Sequence, residues 1–291
     1  MQRRVLWGVL RQWQQSLDRQ GVVPRPAGAV RSTLAGMQTA VLGATGTIGS
    51  RVADQLEERG HQVKRASRSN GIDAWDTAGL EKAFNGDTVV VDCLNIETIG
   101  AKKSREFFTG TAKNITQAAQ SAGVGRIVCV SIAGAADPKV NRLLGYYQGK
   151  AAQEQTYLQS AVPTTIIHSA QWFELMDDVV RRAALGPITV LPTMKMAALA
   201  ADRAAAIIAH DIEQSAEDFD DRTLAIRGPE EATMLQISRA ILAAWGSIGG
   251  RRPRVMTQAP YLGRAIATGG LVPGHGITDD LTVAQWLAGA K

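Results

Sequence analysis

The segment AVLGATGTIGS, residues 40–50, spaces Gly43, Gly46 and Gly49 three apart, directly after a run of small and branched apolar residues. In a phosphate-binding turn the first glycine permits the bend, the second lets the backbone approach a pyrophosphate, and the third allows close packing of the following helix. The positive end of that helix then meets the negative charge. A glycine triplet alone is a weak signal, but this one follows a strand-like run and opens TIGSRVADQLEERG, where Ile48, Val52 and Leu56 recur at helical spacing. Thr45, Thr47 and Ile48, which stand between the glycines, complete the expected phosphate-binding set.

Outward from this turn, strand-like and helix-like segments alternate. HQVKRAS reads as the second strand, a short third strand is expected near Ile72, and TVVVDCL, RIVCVS and PTTIIHS follow as strands four to six, with helices between them. Such alternation predicts an α/β fold: a Rossmann-type doubly wound parallel sheet over residues 37–170, with its ligand crevice at the carboxyl ends of the strands. After Gln171 the rhythm loosens, and residues 171–291 read as a smaller C-terminal substrate lobe. Its helices are expected to be capped by Asp202 and opened by Pro229 with its neighbouring acids.

The formal charge of +5 is unevenly placed. Residues 1–36 hold six arginines and one acid, Asp18, which leaves 26 basic and 26 acidic residues in the rest of the chain. A neutral main body without a recognisable nucleic-acid motif argues against a nucleic-acid partner. The leader MQRRVLWGVLRQWQQSL is amphipathic, followed by the linker-like VVPRPAGAV, and Met37 stands just before the first strand. It reads as an appended extension, ahead of a targeting or membrane-surface segment. No apolar run approaches the roughly 18 residues of a membrane span, so a cytoplasmic protein is expected, as a monomer or homodimer. Cys93 and Cys129 lie in apolar strands and read as buried free thiols. The four histidines show no ligand spacing, so no metal is expected.

About 20 residues beyond the glycines, where an NAD site offers an acid to the ribose, this chain has Arg65-Ala-Ser-Arg68-Ser. A guanidinium there suits a ribose 2′-phosphate. Arg68 is the stronger candidate, and NADP(H) is expected ahead of NAD(H). Asp73 is a candidate for the adenine amino group and Asn95 for a hydrogen bond in the same cleft.

In GYYQGKAAQEQ, Tyr146 and Lys150 stand four apart and share one helix face. Reduction of a carbonyl by hydride needs a proton for the developing alkoxide, and an adjacent ammonium would lower the phenol's pKa from its usual value of about 10. Tyr146 is therefore the candidate proton donor, with Lys150 and Ser131 assisting and the neighbouring Tyr147 left open.

Together VLGATGTIGS, SRSNGID, VVVDCLN, RIVCVSIAG, YYQGKAAQEQ, PTTIIHSAQWFEL, RGPEEAT and GLVPGHGITDDLTVAQWL resemble the atypical short-chain dehydrogenase/reductases of the NmrA-like kind, from about Met37 to the C-terminus. The resemblance implies NAD(P)(H) binding, a small-molecule substrate and a C-terminal lobe that shapes its pocket, with Gln171, Trp172 and Phe173 as candidate walls. It leaves open a reductase of quinones or other small carbonyl compounds, a cofactor-sensing regulator without turnover, and a sugar-nucleotide epimerase or dehydratase. Two positions depart from the pattern. His168 stands where such proteins usually have Arg, and Gly149 lies inside the helix of Tyr146, where it costs about 1 kcal/mol against Ala.

Overall fold

Val89, Val90 and Val91 form a run without polar alternation, and a strand apolar on both faces belongs inside a parallel sheet covered by helices on both sides. The computed structural model, which describes residues 36–98, 100–215 and 220–289, has this run in the interior of a seven-stranded sheet. The chain runs through β1 (Gln38–Leu42), α1 (Thr47–Glu58), β2 (Gln62–Ala66), α2 (Thr77–Phe84), β3 (Val89–Asp92), α3 (Ala101–Ala122), β4 (Arg126–Ile132), α4 (Pro138–Asn141), α5 (Gly145–Tyr157) and β5 (Thr164–Ser169). It continues through α6 (Leu175–Ala183), β6 (Ala184–Leu185), β7 (Ile188–Pro192), β8 (Lys195–Met196), α7 (Ala201–Gln214), β9 (Arg222–Arg227), β10 (Ala232–Thr233), α8 (Met234–Trp245), β11 (Val255–Ala259), α9 (Arg264–Ala267), β12 (Ile277–Thr278) and α10 (Val283–Gly289).

The strand order is β12-β9-β5-β4-β3-β1-β2, and every pair in this sheet is parallel, so the expected Rossmann-type α/β fold is present. The chain steps from β1 outward to β2 and then returns to β3 on the other side of β1. This reversal puts the crevice of the sheet outside the carboxyl ends of β1 and β3. In register, Leu42 stands opposite Ala66 on one side and Asp92 on the other, so the three strands end together.

One face of the sheet packs Leu42, Val90, Ile127 and Ile166 against Leu80, Phe84, Ile115 and Tyr157 from the covering helices. Helix α1 packs against α7, and Arg51–Asp202 (2.6 Å) and Arg59–Glu213 (2.7 Å) join them. A second core gathers Phe173, Met176, Val180, Leu191, Met234, Ile241, Met256 and Leu287. Around it lie the small sheets β11-β7-β6 and β10-β8. Beyond residue 171 the chain thus builds this second core and also returns to the main sheet as β9 and β12.

Three local expectations are corrected. No strand forms near Ile72: Arg68–Asn70 make a 3₁₀ turn ended by Gly71 at φ +78°, and the Ile72 N–H bonds back to the Ser67 carbonyl at 3.1 Å. Ser-Asn-Gly is turn chemistry, and it outweighs one isoleucine. Helix α7 is not capped by Asp202, which lies inside its first turn. The Glu174 carboxylate accepts the Ala201 N–H at 3.0 and 3.1 Å. Helix α8 is opened by a capping box of Thr233 and Gln236, downstream of Pro229 and its acids. Apart from Gly36, the leader read from the sequence lies outside the described residues. No helix among the described residues is long and apolar enough to cross a membrane.

Candidate nucleotide and active site

The glycine turn occupies the switch point. Gly43 follows β1 at φ +71°, and a Cβ there would stand 2.7 Å from the carbonyl oxygen of Cys93, just after β3. Gly43 thus lets the two loops that flank the crevice touch. At Gly49 a Cβ would meet the Gly43 carbonyl carbon at 2.8 Å and its oxygen more closely still, so the helix start and the turn are in direct backbone contact. Gly46 lies at the exposed lip and donates its N–H to Gly43 O at 2.9 Å. Helix α1 begins with no side-chain cap and no acid in its first turn. Its open N–H groups and positive dipole end therefore face the crevice lip, where a diphosphate would supply the missing acceptors. Thr45 and Thr47 are exposed beside them, whereas the side chain of Ile48 is buried, so only its backbone can serve a ligand.

At the end of β2 the two arginines differ. Arg65 is bound by Glu57 (2.8 and 2.9 Å) and Asp54 (2.6 Å), and these hydrogen bonds raise its pKa further. Arg68 is exposed, and its guanidinium has no partner among the described residues. Asp73 accepts the Trp75 N–H at 3.0 Å, and Asn95 accepts the Ile96 N–H at 2.8 Å, so both hold their own turns.

Tyr146 and Lys150 both lie on α5 but face different neighbours. Tyr146 packs edge-on against Phe108 (5.6 Å between centroids) and Tyr147 (6.1 Å). Lys150 is buried, with Nζ 4.7 Å over the Phe108 ring, and donates to the Val130 carbonyl at 2.9 Å and to Gln153 Oε1. Gln153 and the Tyr157 hydroxyl in turn each donate to Asp92 Oδ2 at 2.7 Å. The expected acidification of Tyr146 by Lys150 is corrected: the ammonium is committed to this buried network, and burial holds the phenol above its usual range.

Ser131, at the end of β4, is also buried and donates to Glu154 Oε1. The other carboxylate oxygen, Oε2, lies 3.1 Å from His168 Nε2. Ser131 and His168 are register partners on β4 and β5. Gln171 Nε2 reaches the Tyr147 hydroxyl at 3.4 Å, and Trp172 Nε1 donates to Ser169 Oγ at 3.0 Å. Phe173 is corrected from pocket wall to core: it is fully buried, 4.9 Å from Trp286. Gly149 now has a physical reason, since a Cβ there would lie 2.8 Å from Phe108 Cδ2, where α5 crosses α3 closely. Cys93 and Cys129 are free and buried, and burial raises both thiols.

The sequence reading did not single out Asp92, Gln153, Glu154 or Tyr157. Their signal was available, because Lys150, Gln153, Glu154 and Tyr157 recur at three- and four-residue spacing on one helix, facing a strand that ends in Asp.

A glycine cradle at the reversal of a parallel sheet, with uncapped helical N–H groups and a free cation within the same fold, belongs to the dinucleotide-binding Rossmann proteins. Residues 43–183 match a family described as NAD(P)H-binding. No curated protein sequence matches the chain. Among solved structures it is similar to the NADPH-dependent quinone oxidoreductase of Escherichia coli complexed with NADPH: 17% identity, TM-score 0.62, 87% of this chain and 99% of that one. A short-chain dehydrogenase/reductase superfamily protein from Agrobacterium tumefaciens with bound NAD gives 16%, 0.61, 87% and 95%. The UDP-glucose-4-epimerase of Stenotrophomonas maltophila with bound NAD gives 15%, 0.61, 87% and 96%. At these identities the likeness establishes the fold.

Proposed function

We propose that the protein is an NADP(H)-dependent oxidoreductase that reduces a small carbonyl compound or quinone. The observation that carries this reading is the contrast at and just after β2: Arg65 is consumed by Glu57 and Asp54, while Arg68 has no partner among the described residues. In this reading Gly43, Gly46 and Gly49 shape the turn around the diphosphate, the N–H groups of residues 47–49 bind its oxygens, and Arg68 selects the 2′-phosphate. The bound nicotinamide would supply hydride. The second core and small sheets after residue 171 would close the substrate side, with Gln171 and Trp172 at its edge.

Tyr146 keeps a role, but a different one. A phenol held above its usual range stays protonated at neutral pH and donates a hydrogen bond to the oxygen on which charge develops. Lys150 acts through structure, tying α5 to β4 and, through Gln153, to Asp92. Removal of one such donor typically costs about 10²–10³-fold in kcat. Tyr146→Phe should lose turnover on that scale with NADPH affinity unchanged, measured by NADPH oxidation against a panel of quinones and aldehydes alongside a fluorescence titration. An unaltered rate would remove Tyr146 from the reaction.

The sequestered Lys150 also favours a second reading, a sensor that binds NADP(H) without turnover, because the ammonium expected to acidify Tyr146 is engaged elsewhere. That protein would bind NADPH, oxidise it with no member of the panel, and bind a partner with an affinity that differs between NADPH and NADP⁺.

A further inference from the structure

Glu154 is a buried carboxylate for which hydride transfer and nucleotide binding have no use. It is 5% exposed, yet it is not neutralised by a lysine or arginine: its two oxygens are divided between Ser131 Oγ and His168 Nε2. Helix α5 places it over the adjacent ends of β4 and β5, where the parallel register sets Ser131 beside His168. His168 alone of the three reaches solvent. Its side chain is 26% exposed, and of its two ring nitrogens Nε2 is enclosed while the other is not. Nε2 lies 3.1 Å from Oε2 without making a hydrogen bond to it. The three groups are thus lined up from solvent, through an imidazole and a carboxylate, to a hydroxyl at the carboxyl edge of the sheet, with one hydrogen bond made between Ser131 and Glu154 and one close approach between Glu154 and His168.

We propose that His168, Glu154 and Ser131 are a proton relay that serves the crevice in place of the Tyr–Lys pair. This rests on the oxidoreductase reading. Imidazole titrates near neutrality and exchanges protons with water through one nitrogen while delivering through the other. Glu154 accepts that proton at Oε2 as a carboxyl and turns to donate it to Ser131 Oγ. As it does so, the serine passes its own hydroxyl proton to the oxygen of the carbonyl under reduction. That oxygen holds the electron pair released when hydride adds to its carbon, so one hydride and one proton convert C=O to CH–OH. The relay itself is neither oxidised nor reduced, and the nicotinamide is the reductant. Ser131 is the catalytic residue in this scheme; Glu154 and His168 act through it and are positioning residues. The charged group against the His168 ring is Glu154 on α5. The flanking strands present the hydroxyl of Ser131 on β4 and the uncharged Ala225 on β9.

The test uses the full chain and three variants. His168→Ala and Glu154→Gln should each lower kcat at least tenfold, with KM and the NADPH dissociation constant within about twofold of the parent. Free imidazole should restore turnover to His168→Ala but not to Glu154→Gln, a rescue that a merely structural histidine would not show. His168→Gln should show the same loss as His168→Ala because its amide cannot shuttle a proton. A second arm does not depend on turnover: Glu154→Gln should move the NMR resonances of the His168 ring, which a histidine out of contact with Glu154 would not show. Normal kcat in Glu154→Gln, or absence of imidazole rescue, overturns the relay while the reductase stands. If the parent oxidises NADPH with no substrate yet the His168 resonances respond to Glu154→Gln, the reductase reading falls, and the relay as a catalytic device falls with it.

Discussion

Gly49→Ala tests the cradle at its tightest point. The added Cβ would lie 2.8 Å from the Gly43 carbonyl carbon and closer still to its oxygen. Comfortable contact begins near 3.5 Å, so α1 and the turn must separate by roughly 0.7 Å or more. Ala favours helix by up to about 1 kcal/mol over Gly, whereas forcing one methyl into a packed contact costs about 1–3 kcal/mol. Because the clash is with backbone, the cost lies in the upper half of that range, so the net expectation is a loss of about 1–2 kcal/mol, or roughly 2–8 °C in Tm at about 2–4 °C per kcal/mol. Nucleotide binding should suffer as well, because the displaced N–H groups of the first turn no longer converge on one phosphate. About tenfold weaker binding corresponds to 1.4 kcal/mol. Gly46→Ala separates the two effects: its Cβ would stand 3.3 Å from Gly43 O on the exposed lip, so it should weaken NADPH binding with little change in Tm. Differential scanning calorimetry and a fluorescence titration on both variants decide the matter. If Gly49→Ala has unaltered Tm and binds NADPH within twofold of the parent, the turn does not hold the nucleotide as argued.

Arg68→Ala should raise the dissociation constant of NADPH about tenfold, the lower end for a charge-assisted hydrogen bond at an exposed site, and leave that of NADH unchanged. Arg65→Ala should not move the NADPH-to-NADH ratio, because its guanidinium is held by Glu57 and Asp54. Gly149→Ala should lower Tm despite its better helix propensity, since the new methyl meets Phe108 at 2.8 Å between α5 and α3; a raised Tm would show that the crossing is looser than described. Burial raises the Asp87 carboxyl above its ordinary 3.8 even with Lys64 at 3.1 Å. The folded state then binds more protons than the unfolded state just above that value, so this group's contribution falls as pH rises. Urea titrations of Asp87→Asn should accordingly match the parent at pH 3.5 and be more stable than it as pH rises above 3.8. A difference that does not change with pH would refute the assignment.

Much of this architecture was legible because it rests on local patterns. The valines of β3, the helical spacing of Ile48, Val52 and Leu56, and the Gly43–Gly46–Gly49 triplet each carry their own reason, and all three point to the same sheet. Ile72 alone suggests a strand, but the turn-forming Ser-Asn-Gly before it decides the local backbone. The cap of α7 was hidden for another reason: Glu174 lies 27 residues before Ala201, and no local window joins them. At the site, spacing placed Tyr146 and Lys150 on one helix but said nothing of what each would meet. Lys150 turned inward because Val130, Gln153 and, behind it, Asp92 offer a buried ammonium more acceptors than an aromatic neighbour does. The sequence marked His168 as unusual, but its meaning required Glu154, which only the packing of α5 over β4 and β5 brings to it.

The return of the chain to the main sheet bears on how this protein can be divided. Residues matched to the nucleotide-binding family stop at 183, but the hydrogen bonds of β5 do not: Ile166, Ile167 and His168 are register partners of Thr223, Leu224 and Ala225. A shortened gene product ending at that family boundary would leave β5 as a bare, apolar border, which is a template for aggregation. Swapping the second half between relatives to change selectivity would therefore also replace the outermost strands that seal the first half, and chimeras should join outside β9 and β12 or carry both strands with the parent.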